Sequence, residues 1–386
     1  MAQPIPKKIK EANPEFSEEK FTTLLIDGSN ILELSAAADK RVGSNGKIVG
    51  GIFQFLLQIK MMLQKGNFRY VYVFWDGQQS GQYRAWLLPT YKSNRDKDYD
   101  LEVSGELSDY MKQVNEQVRK MQEYFFNKNK ERNDERKKEK EIFYEQRDVV
   151  MDCLEELFIR QCVCDKVEAD DLIAYYVNHK KPRERIVIMS NDRDLTQLIS
   201  EDVIVYIQSM KKFINTKNHT TEIGYNYHNV KLKKILCGDS SDNIKGIKGL
   251  GETTLFNNFP EFKEREVTLN EVIEKAKAIN EERAREKKKP LKWAENIVNR
   301  VTDGVQGDKI YEINDKVIDL RKPLLTDEAI SVMKNLMYAP LDPEGRSFSN
   351  LYEILIENGI DELRDENRFA TFFTEFKYLI EKEKKN

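Results

Sequence analysis

Two short, mainly apolar runs on either side of an amphipathic helix pattern constrain the fold of this chain more than any other feature of its sequence. Residues 22–26 and 68–75 are rich in the β-branched, aliphatic and aromatic side chains that favour strands, and apolar residues recur at helical spacing between Ile52 and Leu63. A strand, a helix and a strand in this order predict a parallel pair joined by a crossover. Because ligands of such sheets lie beyond the carboxyl ends of the strands, a functional site is expected there.

Acidic residues follow the predicted strands or begin the next helix. Asp27 and Asp76 stand directly after the two runs, and the others are Glu168, Asp170 and Asp171 at the start of a helix pattern over 168–178, Asp192 and Asp194 after a strand pattern over 185–190, and Asp239 and Asp242 in a glycine-containing loop. One such acid alone is more often a helix cap or a surface charge. The full set would repel itself at neutral pH, and hard divalent cations with oxygen ligands relieve such repulsion. The sequence therefore predicts a metal centre.

The length of 386 residues and the charge distribution leave room for two or three domains and for a nucleic-acid partner. The formal net charge is -3, yet residues 209–250 hold eight lysines against three acids, a local excess of +5. The four cysteines lack zinc-site spacing, which favours reduced thiols. Residues 1–20 are expected to be a flexible lead-in without a signal peptide's apolar core, and no apolar run is long enough to span a bilayer. We therefore expect a cytoplasmic protein with no membrane partner.

Basic and aromatic side chains alternate after Asp76. They are Tyr83, Arg84, Trp86, Tyr91, Lys92, Arg95 and Lys97. This alternation suits single-stranded nucleic acid, whose bases stack on aromatic rings, although an ordinary amphipathic helix is an alternative. The heavily charged stretch over 98–147 that follows is typical of a protruding helical insertion with a solvated face.

A glycine-rich turn precedes a predicted helix start at Glu252. Gly246, Gly249 and Gly251 would let backbone N–H groups approach a phosphate closely, although glycines also end helices. The turn follows Asp239 and Asp242 directly, which favours the phosphate-binding interpretation.

The C-terminal part, residues 262–386, is helix-prone. Its last helix is predicted to carry an apolar stripe formed by Phe369, Phe372, Phe373, Phe376, Leu379 and Ile380. A packing face is favoured over a partner-docking peptide for this stripe.

Taken in order, these motifs resemble the flap endonuclease and 5'-3' exonuclease superfamily, most nearly the bacteriophage ribonuclease H type of 5'-nuclease. The resemblance covers roughly residues 21–255 and rests on Asp27, Asp76, Glu168-Ala-Asp170-Asp171, Asp192-Arg-Asp194, and Gly238-Asp239-Ser-Ser-Asp242 with Gly246-Ile-Lys-Gly-Leu-Gly251. It implies an α/β fold with a PIN-like, mostly parallel sheet flanked by helices. The expected division is a lead-in over 1–20, a nuclease domain over 21–210 with a helical arch insertion at about 78–147, and a mainly helical domain over 211–386 that contains a helix-hairpin-helix.

The resemblance also implies roles for individual residues. The first metal site would use Asp27, Asp76, Glu168 and Asp170 with Asp171 close by, and the second would use Asp192, Asp194, Asp239 and Asp242. Catalytic basic groups would be Arg84, Lys92 and Arg95, and the Tyr91 ring would stack on a nucleotide. The duplex backbone would be held by Lys245, Gly246, Lys248, Gly249 and Gly251. Two Mg²⁺ ions are implied, with Mn²⁺ as a substitute, and K⁺ at the hairpin.

The implied function is a structure-specific 5'-nuclease that removes 5' flaps and RNA primers during DNA replication. Its partners would be branched or flapped duplex DNA, RNA–DNA hybrid and a single-stranded DNA-binding protein, and it would act as a monomer in the cytoplasm, that of the host if a bacteriophage encodes it. A PIN-type ribonuclease for single-stranded RNA is one alternative, which would not need the lysine-rich hairpin. A non-catalytic DNA-junction protein is another, which the complete acid set disfavours.

Overall fold

The computed structural model of this protein describes residues 21–93, 130–302, 309–339 and 344–383. They fall into two compact units. The first unit consists of the described parts of Met1–Ser80, Glu131–Asn215 and Leu325–Asn386, and the second consists of those of Gly81–Lys130 and Thr216–Leu324.

The first unit is built on a six-stranded sheet in the order β3-β2-β1-β4-β5-β6. Its strands are β1 Phe21–Asp27, β2 Tyr70–Asp76, β3 Arg160–Cys164, β4 Glu184–Ser190, β5 Val203–Ile207 and β6 Lys212–Ile214. All neighbouring pairs are parallel except β5 and β6, and Leu25 of β1 lies opposite Tyr72 on one side and Ile188 on the other. The second unit has a two-stranded antiparallel pair, β7 Gly238–Asp239 and β8 Ile244–Lys245. The predicted mostly parallel sheet is confirmed.

The described residues contain sixteen α-helices and three short 3₁₀ helices. The α-helices are α1 Gly28–Ala38, α2 Gly50–Lys65, α3 Gln82–Leu87, α4 Lys130–Glu156, α5 Ala169–Asn178, α6 His219–Ile223, α7 Val230–Cys237, α8 Glu252–Asn258, α9 Glu261–Glu264, α10 Leu269–Arg285, α11 Lys292–Val298, α12 Lys309–Ile318, α13 Asp327–Tyr338, α14 Phe348–Glu357, α15 Glu366–Phe372 and α16 Thr374–Glu383. The 3₁₀ helices are Arg193–Leu198, Tyr227–Asn229 and Asp361–Leu363.

Strands β1 and β4 are buried almost from end to end, as central parallel strands are when helices cover both faces of a sheet. The core on one face joins Leu24 and Ile26 of β1 to Phe55 of α2, and it includes Phe373 and Phe376 from the far end of the chain. Burial of such side chains stabilises the unit by about 1.5–3 kcal/mol each.

The C-terminal residues from Leu325 onward belong to the sheet unit, whereas the sequence grouped all of 211–386 in one domain. Helix α14 contributes Leu351 and Leu355 to the core around β1, which explains why this segment returns to the first unit. The predicted packing stripe lies in that core through Phe369, Phe372, Phe373, Phe376 and Leu379. The prediction of a single last helix was wrong, because α15 ends at Phe372 and a separate helix, α16, begins at Thr374.

In the second unit, β7 and β8 form a hairpin between α7 and α8. Its two strands cross so closely that a Cβ on Gly246 would lie 2.2 Å from the carbonyl carbon of Cys237 and 2.3 Å from the Gly238 nitrogen. Gly238 also has a φ of +76°, a region that other residues rarely adopt. Glycine is therefore required at both positions for the hairpin to close.

A membrane-spanning helix is absent from the part of the chain that the structure describes, since no helix there combines the necessary length and apolarity.

Candidate metal centre

The carboxyl ends of β1, β2 and β4 place acidic residues at one edge of the sheet in the first unit. Asp27 and Asp76 are the last residues of β1 and β2, and Asp192 follows β4 by two positions. Parallel pairing puts these ends side by side, because Asp27 lies opposite Phe74 in β2 and Ile26 lies opposite Met189 in β4. The sheet therefore assembles acids that are up to 165 positions apart in the sequence (27 and 192).

Hydrogen bonds fix Asp27 from two sides. Its Oδ2 accepts from Ser190 Oγ at 2.9 Å, and its Oδ1 accepts from the Asn30 backbone N–H at 3.2 Å as the cap of α1. Ser190 Oγ in turn accepts from the backbone N–H of Asp192 at 2.9 Å. One serine thus links Asp27 to Asp192.

Asp76 is tied to the start of α5. Its Oδ1 accepts from the Ala169 backbone N–H at 2.9 Å, and its own N–H donates to Ser29 Oγ at 2.8 Å. Glu168 is the residue before α5, so its carboxylate and that of Asp76 are both at the positive end of this helix. The Asp76 carboxylate is therefore held at the N-terminal end of α5, where the helix dipole favours negative charge.

Three acids at the start of α5 form a compact group. Glu168, Asp170 and Asp171 each offer one carboxylate oxygen, and these three oxygens lie within 4.8 Å of one another. Glu168 and Asp171 are buried, 3% and 1% exposed respectively. Such a spacing of hard oxygen donors suits one divalent cation.

Asp194 lies on the 3₁₀ helix after β4. Its backbone N–H donates to Asp192 Oδ1 at 2.8 Å, which makes Asp192 the cap of that short helix. The predicted acids of the first unit, from Asp27 to Asp194, thus all lie at the ends of β1 and β2, just after β4, or at the start of α5.

The electrostatics of the cluster favour a bound cation. Burial and, next in size, the neighbouring Asp76 carboxylate raise the pKa of Asp27 to about 8, while hydrogen bonds from Ser190 and Asn30 act in the opposite direction. A buried carboxyl in this position is ionised at neutral pH only when positive charge compensates it. The donor set of this first unit therefore fits a divalent metal ion.

Asp27→Asn is expected to raise the melting temperature of the protein in EDTA, by an amount that grows between about pH 4 and pH 8 and then levels off. The carboxyl titrates near 3.8 in the unfolded chain and near 8 in the fold, so the folded state binds the extra proton and wild-type stability falls across that interval. Thermal melts across this pH range check the prediction. An exposed Asp148→Asn is the control, and a gain that does not change with pH would contradict it.

Gly77 leaves no room for a side chain behind Asp76. A Cβ there would lie 1.8 Å from the carbonyl oxygen of Cys164, at the end of β3. Gly77→Ala is expected to lower stability by about 2–3 kcal/mol and the melting temperature by about 5–10 °C, since backbone must move. Gly251→Ala is the matched control, because nothing lies within 4 Å of its Cβ position. Equal melting curves for the two variants would contradict this account.

Asp239 and Asp242 belong to the hairpin of the second unit. Asp239 pairs with Lys234, and its Oδ1 accepts from Ser241 Oγ at 2.6 Å. Burial raises the pKa of Asp239, but the Lys234 ammonium and the Ser241 hydrogen bonds outweigh it and hold that pKa well below its usual range. Asp239 is therefore ionised, and its assignment with Asp242 to a second metal ion stays a prediction.

Lys92 is held by the same hairpin. Its backbone N–H donates to the Asp242 carbonyl at 2.8 Å, and its ammonium lies 3.8 Å from Asp242 Oδ1. Asn243 fastens the same loop, because its Nδ2 donates to the Thr90 carbonyl at 3.0 Å and to Ser93 Oγ at 2.8 Å. The structure thus fixes a cation beside a predicted metal ligand within the second unit.

Three of the predicted nucleic-acid contacts are buried instead, and Lys92 is one of them at 9% exposed. Tyr91 is 2% exposed and packs in the core of the second unit, which disagrees with its predicted stacking on a nucleotide. Arg84 is 3% exposed, and its Nε donates to the Val317 carbonyl at 2.8 Å. A sequence pattern of alternating aromatic and basic residues does not distinguish a buried face from a binding face. Arg95 and Lys97 lie outside the described residues.

Two asparagines of the second unit hold the backbone at the glycine turn, and the lysines of this segment are exposed. Asn314 Nδ2 donates to the Lys245 carbonyl at 3.0 Å, and Asn296 Nδ2 donates to the Lys248 carbonyl at 2.8 Å. The side chains of Lys245 and Lys248 are exposed, and Gly249 has a φ of +82°. The main chain of this turn is thus set before any ligand arrives, which suits contact with a phosphate.

Residues that position the acids and the glycine turn were missed from the sequence. They are Ser29, Asn30 and Ser190 around β1 and β4, and Asn296 and Asn314 around the hairpin. The first three had a signal, because small polar residues flank the acids in Asp27-Gly-Ser-Asn30 and Ser190-Asn-Asp192. The two asparagines had none, since they are about 50 to 70 positions from their partners.

Comparisons with known proteins identify the family. The family model described as "5'-3' exonuclease, N-terminal resolvase-like domain" matches residues 22–226. A 5'-3' exonuclease of Mycoplasmopsis pulmonis is 30% identical over 245 residues, which cover 62% of this chain and 67% of that protein. A 5'-3' exonuclease of Halalkalibacterium halodurans is 23% identical over 338 residues, covering 83% and 97%.

Solved structures share the fold. The zinc-bound bacteriophage T5 5'-exonuclease superposes with a TM-score of 0.53 at 16% identity, covering 87% of this chain and 98% of that one. The T5 D15 flap endonuclease in complex with DNA and metal ions gives a TM-score of 0.52, also at 16% identity, covering 87% and 99%. With more than half of its length matched by the family model, this chain belongs to the 5'-3' exonuclease family and is a nuclease.

Proposed function

We propose that this nuclease is structure-specific and removes 5' flaps and RNA primers from duplex DNA during replication. The observation that carries the proposal is the group of acids at the carboxyl ends of β1, β2 and β4, joined by those at the start of α5. It supplies only oxygen donors, as hydrolysis of a phosphodiester with bound divalent cations requires. The two T5 structures support it, since one binds zinc and the other binds DNA and metal ions.

Residues of the first unit would hold one ion through Asp27, Asp76, Glu168 and Asp170, with Asp171 beside them. Asp192 and Asp194, with Asp239 and Asp242, are proposed for a second. Mg²⁺ is the proposed metal and Mn²⁺ its substitute, because carboxylate oxygens suit both. When bound, such ions lower the pKa of water and stabilise charge on the attacking and leaving oxygens.

The remaining residues would bind and orient the substrate. Lys92 would place positive charge near the scissile phosphate. Arg84 would support the segment that carries Lys92, since the Arg84 guanidinium carbon lies 5.9 Å from the centre of the Tyr91 ring. Lys245, Lys248 and the backbone N–H groups of the turn would contact the duplex phosphates without reading sequence, with K⁺ as a further occupant of the turn. The enzyme would thus select by shape rather than by base.

The substrates we propose are flapped or branched duplex DNA and RNA–DNA hybrid, with a single-stranded DNA-binding protein as replication partner. We further propose a monomer in the cytoplasm. A pull-down on the purified protein that shows no enrichment of a single-stranded DNA-binding protein would remove that partner.

Three labelled substrates test the function. A 5'-labelled flap duplex, an RNA–DNA hybrid and a free single strand are incubated with Mg²⁺ or EDTA, and the products are sized. Cuts near the flap junction that require Mg²⁺ are expected, with short products from the hybrid. Cleavage of the free single strand alone would favour a single-strand nuclease, and three intact substrates with a shifted flap duplex would leave only a junction binder.

A further inference from the structure

A segment of ten residues in the second unit carries a strong positive charge. Residues 283–292, here called the basic loop, contain a single acid, Glu286, and six cations, which are Arg283, Arg285, Lys287, Lys288, Lys289 and Lys292. The excess is +5 in a chain whose net charge is -3. Clustering of this kind is the electrostatic footprint of a polyanion site.

The basic loop runs from the last turn of α10 to the first residue of α11. Arg283 Nε donates to the Lys289 carbonyl at 2.8 Å, and the Lys288 N–H donates to the Arg283 carbonyl at 2.8 Å. Asn280 closes it by accepting from the Leu291 N–H at 2.8 Å. A turn at Lys287, with a φ of +57°, completes the bend. The lysines are thus presented on a fixed backbone.

Most of this charge is available to a ligand. The side chains of Lys287, Lys288 and Lys289 are exposed. Within the described residues, Lys288 pairs with Glu286 at 2.8 Å and Lys292 with Glu295 at 3.1 Å, while Lys287 and Lys289 form no ion pair. Exposed pairs of this type contribute only about 0–1 kcal/mol, so a phosphate can replace the acid at little cost.

The basic loop leads directly into the helix that supports the hairpin. A Cβ built on Gly249 would lie 3.8 Å from the Cβ of Trp293, in the first turn of α11. Lys248 binds the same region, since its N–H donates to the Val301 carbonyl at 3.0 Å and its carbonyl accepts from Asn296. Lys292, whose side chain is 82% exposed, directly precedes the residue that lies beside the glycine turn.

We propose that the basic loop is a second binding site for the duplex phosphate backbone. It would extend the surface that contacts the duplex beyond the hairpin. This inference rests on the proposed function, because that function sets how the duplex is oriented on the protein. Single-strand sites combine cations with aromatic rings, and residues 283–292 contain no aromatic residue. Trp293 beside them packs on Phe259, with ring centres 6.1 Å apart. Charge without a stacking ring favours a double strand.

The test is binding without turnover. A triple variant, Lys287→Ala with Lys288→Ala and Lys289→Ala, is compared with wild type by fluorescence anisotropy in Ca²⁺, on duplexes of about 10 to 30 base pairs and over about 50 to 300 mM KCl. Each phosphate contact contributes about 0.9 to the slope of log K against log salt, so the slope should fall by about 2 to 3. Affinity for the longest duplex should fall about tenfold or more, and the difference should shrink as the duplex shortens.

Two controls make the result specific. Replacing Lys40, Lys47 and Lys334 by Ala removes the same charge from exposed positions of the first unit and should leave the slope unchanged. Arginine at 287, 288 and 289 should restore wild-type binding, and melting curves verify folding. A triple alanine variant with the wild-type slope at every length, or an equal loss on a single strand, would overturn the proposal. Wild type that binds duplex but cuts nothing in Mg²⁺ would contradict the proposed function alone.

Discussion

Asp76→Asn is expected to slow Mg²⁺-dependent cleavage of a flap duplex by about a thousandfold while the duplex still binds. Asp76 ends β2, lies beside Asp27 in the first unit and accepts the Ala169 N–H at 2.9 Å. Asn keeps the shape and an oxygen for that hydrogen bond but removes the charge that holds a cation. The loss corresponds to about 4 kcal/mol of transition-state stabilisation, a usual contribution of a metal ion.

Single-turnover rates with Mg²⁺ and anisotropy with Ca²⁺ separate the two effects. Asp192→Asn should behave in the same way, since Asp192 also faces Asp27. Asp148→Asn is the matched control, because its carboxylate is 68% exposed on α4. Turnover retained at the wild-type rate in Asp76→Asn would refute the assignment of this acid to the metal centre.

Lys92→Ala is expected to reduce the single-turnover rate about a hundredfold and to change duplex affinity by less than about threefold. The Lys92 ammonium lies 3.8 Å from Asp242 Oδ1 and 4.9 Å from the centre of the Tyr91 ring. The Asp242 carboxylate and the Tyr91 ring therefore fix its position. A cation placed in this way acts on charge that develops in the transition state rather than on the ground-state duplex. The rate and the dissociation constant are measured on the same flap substrate.

Lys92→Arg serves as the charge-preserving partner and should recover part of the rate. Lys263→Ala, an exposed lysine of the second unit, controls for the loss of one charge. If rate and affinity fall by the same factor in Lys92→Ala, the residue is an electrostatic anchor and its proposed role in the chemical step is wrong.

The sheet and most of its acids could be predicted because both depend on local patterns. A buried parallel strand is a short run of β-branched and aromatic residues, and the residue after it is at the functional edge, as Asp27 and Asp76 show. The start of α5 was also visible, since acids there are followed by the apolar period of a helix.

What could not be predicted depends on contacts between distant parts of the chain. Nothing in the residues around Leu351 indicates that they pack on the core of β1 rather than on the helices of the second unit. Tyr91 and Arg84 have the composition of a binding surface, and only the fold shows that both are buried. The break between α15 and α16 at Phe373 was hidden because the apolar spacing continues across it.

The first unit is assembled from three separate stretches of the chain, and the last stretch brings Phe373 and Phe376 into its core. During synthesis the strands leave the ribosome well before these two rings are made. Contacts that are so distant in sequence form late, and the sheet lacks part of its packing until then. The carboxylates at its edge are therefore expected to reach their working positions only after these two rings have been added, so a chain that stops before them would leave nearby nucleic acid intact.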